Sequence, residues 1–526
     1  MSVLFDKATA RGRATVDVTP TRTVTRAAAL TVVLAVLFLT FLDTTIVSVA
    51  LGSIQNDLGA GVIPLQWVLN AYSLVFASLM LVAGSLGDRF GRKSAMVTGI
   101  VIFCGGSVMC AVAPSVGWVI AGRAVMGIGA AASEPGTLSV IRHLYPNRTQ
   151  RARALGAWSA VSGLSLALGP VIGALLVSVD DWRLVFWFNL ALGGLLLIAL
   201  MLFVPNSADP QPGRIDGGGF LLGAVALGSL IYAGISGEQY GYGTWWIIAL
   251  FAVAGTAGIG FVLVEHRVTS PMLDLAYLKD AAVSNGLFAA VAIYFGVFSI
   301  FFLSALYLDV LLGYSGGRLA AVFAPMAGAI VLGSTGSGFW VGLVGPRGPL
   351  ITGGVMSAGG ILAARHYLTA DPPFTPLTIS LALAGFGFGV AVVPLTSAVL
   401  GHVPAARSGM AASATNTARQ VGSVIGVAAL GAIVNSYLTS DLHRTLGSGS
   451  KFIIDLLQTG GSQASNQQGN LVHPPPLIAP IVNAAKAAFR DGLHAALLVS
   501  ALLILLSALI TAIVPRGSLD PQTEFD

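Results

Sequence analysis

Four ionisable residues stand inside apolar runs long enough to cross a membrane: Asp43, Arg123, Glu134 and Arg419. A charge at the bilayer centre costs at least about 2.5–3.5 kcal/mol, so each of these side chains must face the protein interior and find a partner there. Asp43 lies eight residues before the outer end of the first run, about 12 Å deep at 1.5 Å per residue. Arg123 lies six residues into the fourth run, about 9 Å deep. The similar depth predicts that they meet, directly or through water. Burial disfavours the charged form of an acid and a nearby guanidinium favours it. A site balanced between the two can exchange a proton as its access to water alternates; a static buried ion pair is the competing reading. Glu134, followed by Pro135 in the inner half of the fourth run, is either a second protonation or cation-binding site or a water-exposed helix end. Arg419, about ten residues into the thirteenth run, requires polar surroundings that the sequence does not name.

A second chemical signal is the stretch Gly84-Ser85-Leu86-Gly87-Asp88-Arg89-Phe90-Gly91-Arg92-Lys93. It reads as a tight, charged turn between the second and third apolar runs. Topology marking explains its basic residues but neither Asp88 nor the three glycines Gly84, Gly87 and Gly91. A moving joint explains all of them. Small residues recur in the fifth run at Gly163, Gly169-Pro170 and Gly173, where they allow close helix contact and the proline removes a backbone hydrogen bond.

These residues need a scaffold, and the composition says which. The 526 residues are 55% apolar and 9% charged, against about a quarter charged in soluble domains. Lipid must cover most of this surface. A helix needs about 20 apolar residues to span a bilayer. Runs of that kind fall near 27–51, 64–86, 95–112, 117–138, 154–178, 184–204, 217–235, 245–264, 283–308, 317–340, 349–367, 376–400, 409–436 and 491–514, fourteen in all. The first is too long for the h-region of a cleavable signal peptide. Of the 27 Lys and Arg residues, 18 fall in the two tails and the even-numbered connections, which places both termini in the cytoplasm. On that topology the Asn147-Arg148-Thr149 sequon faces inward and carries no glycan. The net charge of +5 therefore marks topology and not nucleic-acid binding. Cys104 and Cys110 share one helix and read as core. The histidines have no metal-ligand spacing, and no phosphate-binding Gly-x-x-x-x-Gly-Lys-Ser/Thr run is present.

Taken together, these motifs resemble the fourteen-span drug/proton antiporter group of the major facilitator superfamily over roughly 27–514. The 84–93 turn resembles the superfamily loop between helices 2 and 3. Leu42-Asp43-Thr44-Thr45-Ile46-Val47 is similar to the acidic motif of helix 1. Arg123-Ala124-Val125-Met126-Gly127-Ile128-Gly129-Ala130-Ala131 is similar to Arg-x-x-Gln-Gly-x-Gly-Ala-Ala in helix 4, with Met126 where the family has Gln. Gly169-Pro170 with Gly173 resembles the antiporter motif of helix 5, with Ala174 at its last glycine. Shorter matches are Gln66-Trp67-Val68, Asp181-Trp182-Arg183 with Phe186 and Asn189, and Asn416-Thr417-Ala418-Arg419-Gln420. Trp67 and Trp182 read as interface-belt aromatics. Asp309, at the outer end of helix 9, reads as lying at the aqueous interface. The counterpart of the 84–93 turn in the second half, around 342–348, has no acid, so the latch is expected to be asymmetric.

The resemblance implies an all-α integral membrane protein of two six-helix bundles plus two additional central helices. The expected parts are a disordered cytoplasmic tail at 1–26, a first bundle at 27–204, linking helices at 205–280, and a second bundle at 281–514. A long, low-complexity outer loop at 437–490 interrupts that bundle, and a short tail follows at 515–526. It implies a proton-coupled exporter of small amphipathic compounds in a bacterial cytoplasmic membrane, working as a monomer without cofactor or metal; export of an endogenous lipid or siderophore on the same fold is the alternative. Proton coupling would rest on Asp43, Arg123 and Glu134. Gating would rest on Gly84, Gly87, Asp88, Arg89, Gly91, Arg92, Gly169, Pro170 and Gly173, with Asp88 facing the start of helix 13 near Ser408-Gly409. The substrate cavity would be lined by Trp158, Tyr294, Phe298, Asn416 and Arg419.

Overall fold

The computed structural model describes residues 23–60, 62–179, 181–206, 216–268, 271, 273–314, 316–446 and 479–514. The described residues are almost entirely helical and contain no strand. Helix α1 (Thr23–Ile46) continues through a 3-10 turn at Val47–Ala50 into the short α2 (Leu51–Leu58). Then come α3 (Val62–Phe90), α4 (Arg92–Ala111), α5 (Val116–Leu144), α6 (Arg148–Val179) and α7 (Arg183–Phe203). The linking pair is α8 (Gly217–Tyr240) and α9 (Trp245–Glu265). The second half comprises α10 (Ala281–Leu306), α11 (Gly316–Val344), α12 (Arg347–Tyr367), α13 (Phe374–Gly401), α14 (Ser408–Leu446) and α15 (Ala479–Ile513). Among the described residues, eleven segments are long and apolar enough to cross a bilayer by themselves, α1 and α2 counting as one. The other long helices, α6, α10 and α12, complete the bundles by packing against them.

Two apolar cores underlie the two bundles. One is built from α1 and α3–α7, around Val36, Leu42, Phe103, Met126 and Phe186. The other lies within α10–α15, around Ile293, Leu308, Ile361, Leu381 and Leu497. The first core reaches into the second half at Val399–Val403 and Met410–Ala412, where α13 ends and α14 begins. The halves meet along α3/α14, α5/α14, α6/α11 and α6/α13, and α8 packs against the seam formed by α3 and α14.

Several boundaries differ from the sequence expectation. The 84–93 segment is not a ten-residue turn. Helix α3 continues through Phe90, and the chain reverses at Gly91 alone, whose φ of 100° is open only to glycine. The matching reversal between α11 and α12 falls on Gly345, φ 88°. Helix α14 runs on to Leu446 and α15 begins at Ala479, so both ends of the expected 437–490 loop are helical. Lipid sets where an apolar run stops but does not oblige the backbone to unwind in water. Residues 447–478, 1–22 and 515–526 lie outside the described residues.

Candidate functional site

The first centre is buried wholly inside the first half. Asp43 sits in the last turn of α1 and is fully buried, as are Arg123 and Asn189. Arg123 Nη1 donates to Asp43 Oδ2. Asn189 Nδ2, from α7, donates to Oδ1 at 2.7 Å. Arg123 Nε donates to the Val68 carbonyl at 3.0 Å, and its guanidinium lies 4.5 Å from the centroid of the Tyr72 ring. Tyr72 in turn donates to the Thr40 carbonyl at 2.9 Å, which ties α3 to α1 one turn before Asp43. Glycines set the geometry. A Cβ at Gly127 would lie 2.7 Å from the Tyr72 carbonyl, and one at Gly122 would lie 2.9 Å from the Gly106 carbonyl. Helix α5 is therefore pressed against both α3 and α4. Helix α6 touches α1 just beyond Asp43: a Cβ at Gly169 would overlap Thr45, and one at Gly173 would lie 2.6 Å from the Ile46 carbonyl. Pro170 lies within α6, with its side chain outside the described residues. The depth argument thus brought the right acid and guanidinium together, and it missed Asn189.

The second centre joins the halves at one end of the molecule. Asp88 Oδ1 accepts from Gly409 N at 3.0 Å and Oδ2 from Met410 N at 2.9 Å. A carboxylate thus sits on the free N–H groups at the start of α14, where the helix dipole favours negative charge. Arg92 Nε donates back to Asp88 Oδ1 at 3.0 Å, and Arg92 Nη2 reaches the Ala406 carbonyl at 3.0 Å. Arg142, near the end of α5, donates to the Val403 carbonyl at 2.5 Å. Of the three glycines in the 84–93 stretch, Gly84 is the one in close contact with the other half. Its Cβ would overlap Ser413 and lie 2.5 Å from the Gly409 carbonyl. Gly87 is different, since a Cβ there would meet only Ala95 at an ordinary 3.6 Å. Arg89 lies over the neighbouring Phe90 ring at 5.5 Å. On the α6/α11 side the same end is held by Thr149 Oγ1 donating to the Gly342 carbonyl at 3.0 Å. On that flank the Arg153 guanidinium of α6 also lies 4.9 Å from the Phe339 ring of α11, so cations stand on both flanks, and the carboxylate seated on a helix start is at the α3/α14 flank.

Asp88→Asn should keep one acceptor but lose the charge–dipole attraction. At about 1–2 kcal/mol the closed form should lose about fivefold to thirtyfold in population. The alkylation rate of Ser413→Cys, buried under α3, measures this directly. An unchanged rate would remove Asp88 from the latch.

The third centre lies where α5, α6, α10, α13 and α14 converge. Glu134 is buried, which rules out the water-exposed helix end. Asn416 Nδ2 donates to Glu134 Oε2 at 2.6 Å, and Asn416 Oδ1 accepts from Arg419 Nη1 at 2.8 Å. Arg419 Nη2 also donates to Thr396 Oγ1 at 2.5 Å. Its guanidinium lies between Trp158, 5.0 Å away, and Tyr294, 5.5 Å away. Tyr294 packs edge-on to Phe388 at 5.1 Å. Four of the five expected cavity residues, Trp158, Tyr294, Asn416 and Arg419, thus stand together around Glu134. The side chains of Phe298 and Asp309 lie outside the described residues.

The two tryptophans expected in an interface belt do other work. Trp182 is fully buried and donates to Asp57 Oδ2 at 3.2 Å. Arg183 donates to the same carboxylate at 2.7 Å, pinning the end of α2 to α7. Trp67 faces Tyr232 of α8 at 5.3 Å. Both read as lipid-interface residues in sequence because their partners lie on helices far away in the chain.

Comparison with known proteins now decides the family. The family model described as the Major Facilitator Superfamily matches residues 33–427. The chain belongs to the Major Facilitator Superfamily. Within the family it is similar to the multidrug resistance protein Stp of Mycobacterium tuberculosis, 33% identical over 77% of this chain and 75% of that protein. It is also 30% identical to the multidrug efflux pump LfrA of Mycolicibacterium smegmatis, over 94% of this chain and 98% of that one. Among solved structures, the proton:xylose symporter XylE shares the fold at TM-score 0.62 and 14% identity, covering 95% of this chain and 98% of that one. The chain is thus a multi-pass membrane transporter and not an enzyme.

Proposed function

We propose that this transporter exports amphipathic, drug-like compounds across a bacterial cytoplasmic membrane by alternating access, driven by inward proton movement. The observation that carries the reading is the buried Asp43–Arg123 pair, fixed by Asn189 inside one half. A carboxylate kept from water by lipid and held by a single guanidinium changes its preferred protonation whenever water reaches it. Relatives named for multidrug resistance and efflux support the direction and the kind of cargo. Glu134 supplies a second buried acid at the seam between the halves. The excess of basic residues around Arg92 and Arg142 supports a cytoplasmic position for the latched end, with both chain termini on that side. The conformation described is then closed to the cytoplasm, and the opening of the Asp88 latch exposes the inner side. Asn416, Arg419, Trp158 and Tyr294 form the floor of the substrate path.

The driving force is adequate. A membrane potential supplies about 2.3 kcal/mol per charge per 100 mV, enough for one proton to sustain roughly a 50-fold gradient. The deciding experiment uses purified protein in proteoliposomes, with an imposed pH gradient and a fluorescent planar aromatic cation as cargo. Accumulation that appears with the gradient and vanishes with a protonophore is the expected result. Accumulation indifferent to the gradient would overturn proton coupling. Transport of a labelled phospholipid but not of the cation would replace drug export by lipid export.

A further inference from the structure

The residues around Glu134 close a ring that crosses the seam twice. On one side Asn416 of α14 donates to Glu134 of α5 at 2.6 Å. On the other, Arg419 of α14 lies 5.0 Å from the Trp158 ring of α6. Trp158 Nε1 donates to Thr137 Oγ1 at 2.9 Å, and Thr137 Oγ1 donates to the Glu134 carbonyl at 2.6 Å, which completes the circuit within the first half. Within the second half, Arg419 holds the Asn416 carbonyl oxygen and Thr396. The amide of Asn416 therefore has only one useful orientation. Its oxygen must face a guanidinium that can only donate, and its nitrogen must face a carboxylate that accepts. All the members of this ring are nine-tenths or more buried.

We propose that Asn416 is a positioning residue whose amide polarity clasps the two halves of the transporter at mid-membrane. The clasp complements the Asp88 latch. It lies seven residues, about 10 Å, farther along α14 than Gly409, and it must part whenever the latched end opens. Arg419 acts through it by fixing the amide's direction, and Trp158 caps the guanidinium from the opposite half. The inference uses the rocking of the halves from the function proposed above, but nothing about cargo or protons.

The test reverses the polarity of the bond. In Asn416→Asp a second carboxylate faces Glu134 and the clasp should repel. Adding Glu134→Gln should restore it, because the amide introduced at 134 donates to the carboxylate introduced at 416, which still accepts from Arg419. Net charge matches the wild type, with the acid moved across the seam. Spin labels at Phe90 and Leu343, exposed at the latched ends of α3 and α11, report opening by double electron–electron resonance in a background lacking Cys104 and Cys110. Asn416→Asp should lower the short-distance population about tenfold, equivalent to about 1.4 kcal/mol. The double variant should recover it to near wild type. A purely space-filling role for Asn416 predicts no such recovery. An unchanged distance distribution in Asn416→Asp, or a double variant as open as the single one, overturns the proposal. Should Asn416→Asp fail to accumulate, Asn416→Ala replaces it: opening in that variant with recovery in the double variant supports the clasp, and no opening refutes it. The assay needs neither cargo nor a gradient, so it stands whether or not drug export does.

Discussion

Asp43→Asn abolishes proton-driven export while leaving a folded protein in the membrane. The asparagine oxygen still accepts from Arg123, and Arg123 keeps its bond to Val68 and its contact with the Tyr72 face. What disappears is the group that titrates. For one proton exchanged per cation, the steady-state gradient in proteoliposomes should collapse from about tenfold per unit of imposed pH difference to about one. Asp43→Leu behaves differently. It strands a buried guanidinium and leaves Asn189 without its acceptor. Breaking a buried pair in this way costs about 3–5 kcal/mol, so this variant should accumulate poorly and melt at lower temperature. Export in Asp43→Asn that still follows the pH gradient would remove the acid from the coupling mechanism.

Gly84→Val holds the latched end apart. A side chain there has no room, because even its first carbon overlaps Ser413 and crowds the Gly409 carbonyl. Overpacking of this kind costs about 1–3 kcal/mol, and here the cost falls on the closed form alone. The population should shift toward the open form by about fivefold to 150-fold. Alkylation of Ser413→Cys should accelerate accordingly, and export should stall with cargo access confined to one side. Gly87→Ala is the internal control. Its added carbon meets only Ala95 at ordinary contact distance, and both measurements should stay at wild-type values. Equal effects from the two substitutions would show that helix propensity, and not the seam, is responsible.

What could be read in the sequence, and what could not, follows from the range of each interaction. Asp43 and Arg123 were found together because depth along a membrane helix is a matter of counting residues. Asp88 was found because its acid and its glycines lie within one short stretch. Asn189 was noted only within a short motif match, and its bond to Asp43 was not foreseen although it stands in an apolar run as conspicuously as Asp43 does. Only the neighbouring of α1 and α7 reveals its purpose, and no periodicity encodes that neighbouring. Arg419 lacked a partner in sequence although Asn416 lies one turn earlier on the same helix; its other acceptor, Thr396, and its flanking rings, Trp158 and Tyr294, stand on three different helices, which residue spacing does not bring together. Trp182 was misread for the same reason, since Asp57 lies in another helix. The extended helices α3, α14 and α15 were cut short because apolarity ends before helicity does. The membrane spans, by contrast, needed only the lengths of apolar runs, while their grouping into two bundles with a linking pair came from the resemblance to a known family.

Arg123 and Glu134 ride on the same helix, eleven residues and therefore about 16 Å apart, and three turns bring them back to nearly the same face. One end of α5 is thus fastened inside its own bundle, and a point farther along is fastened to the opposite bundle. Any swivel or slide of this shaft that relieves one fastening strains the other. If the proposed coupling holds, events at the two acids would be mechanically geared through a single moving part.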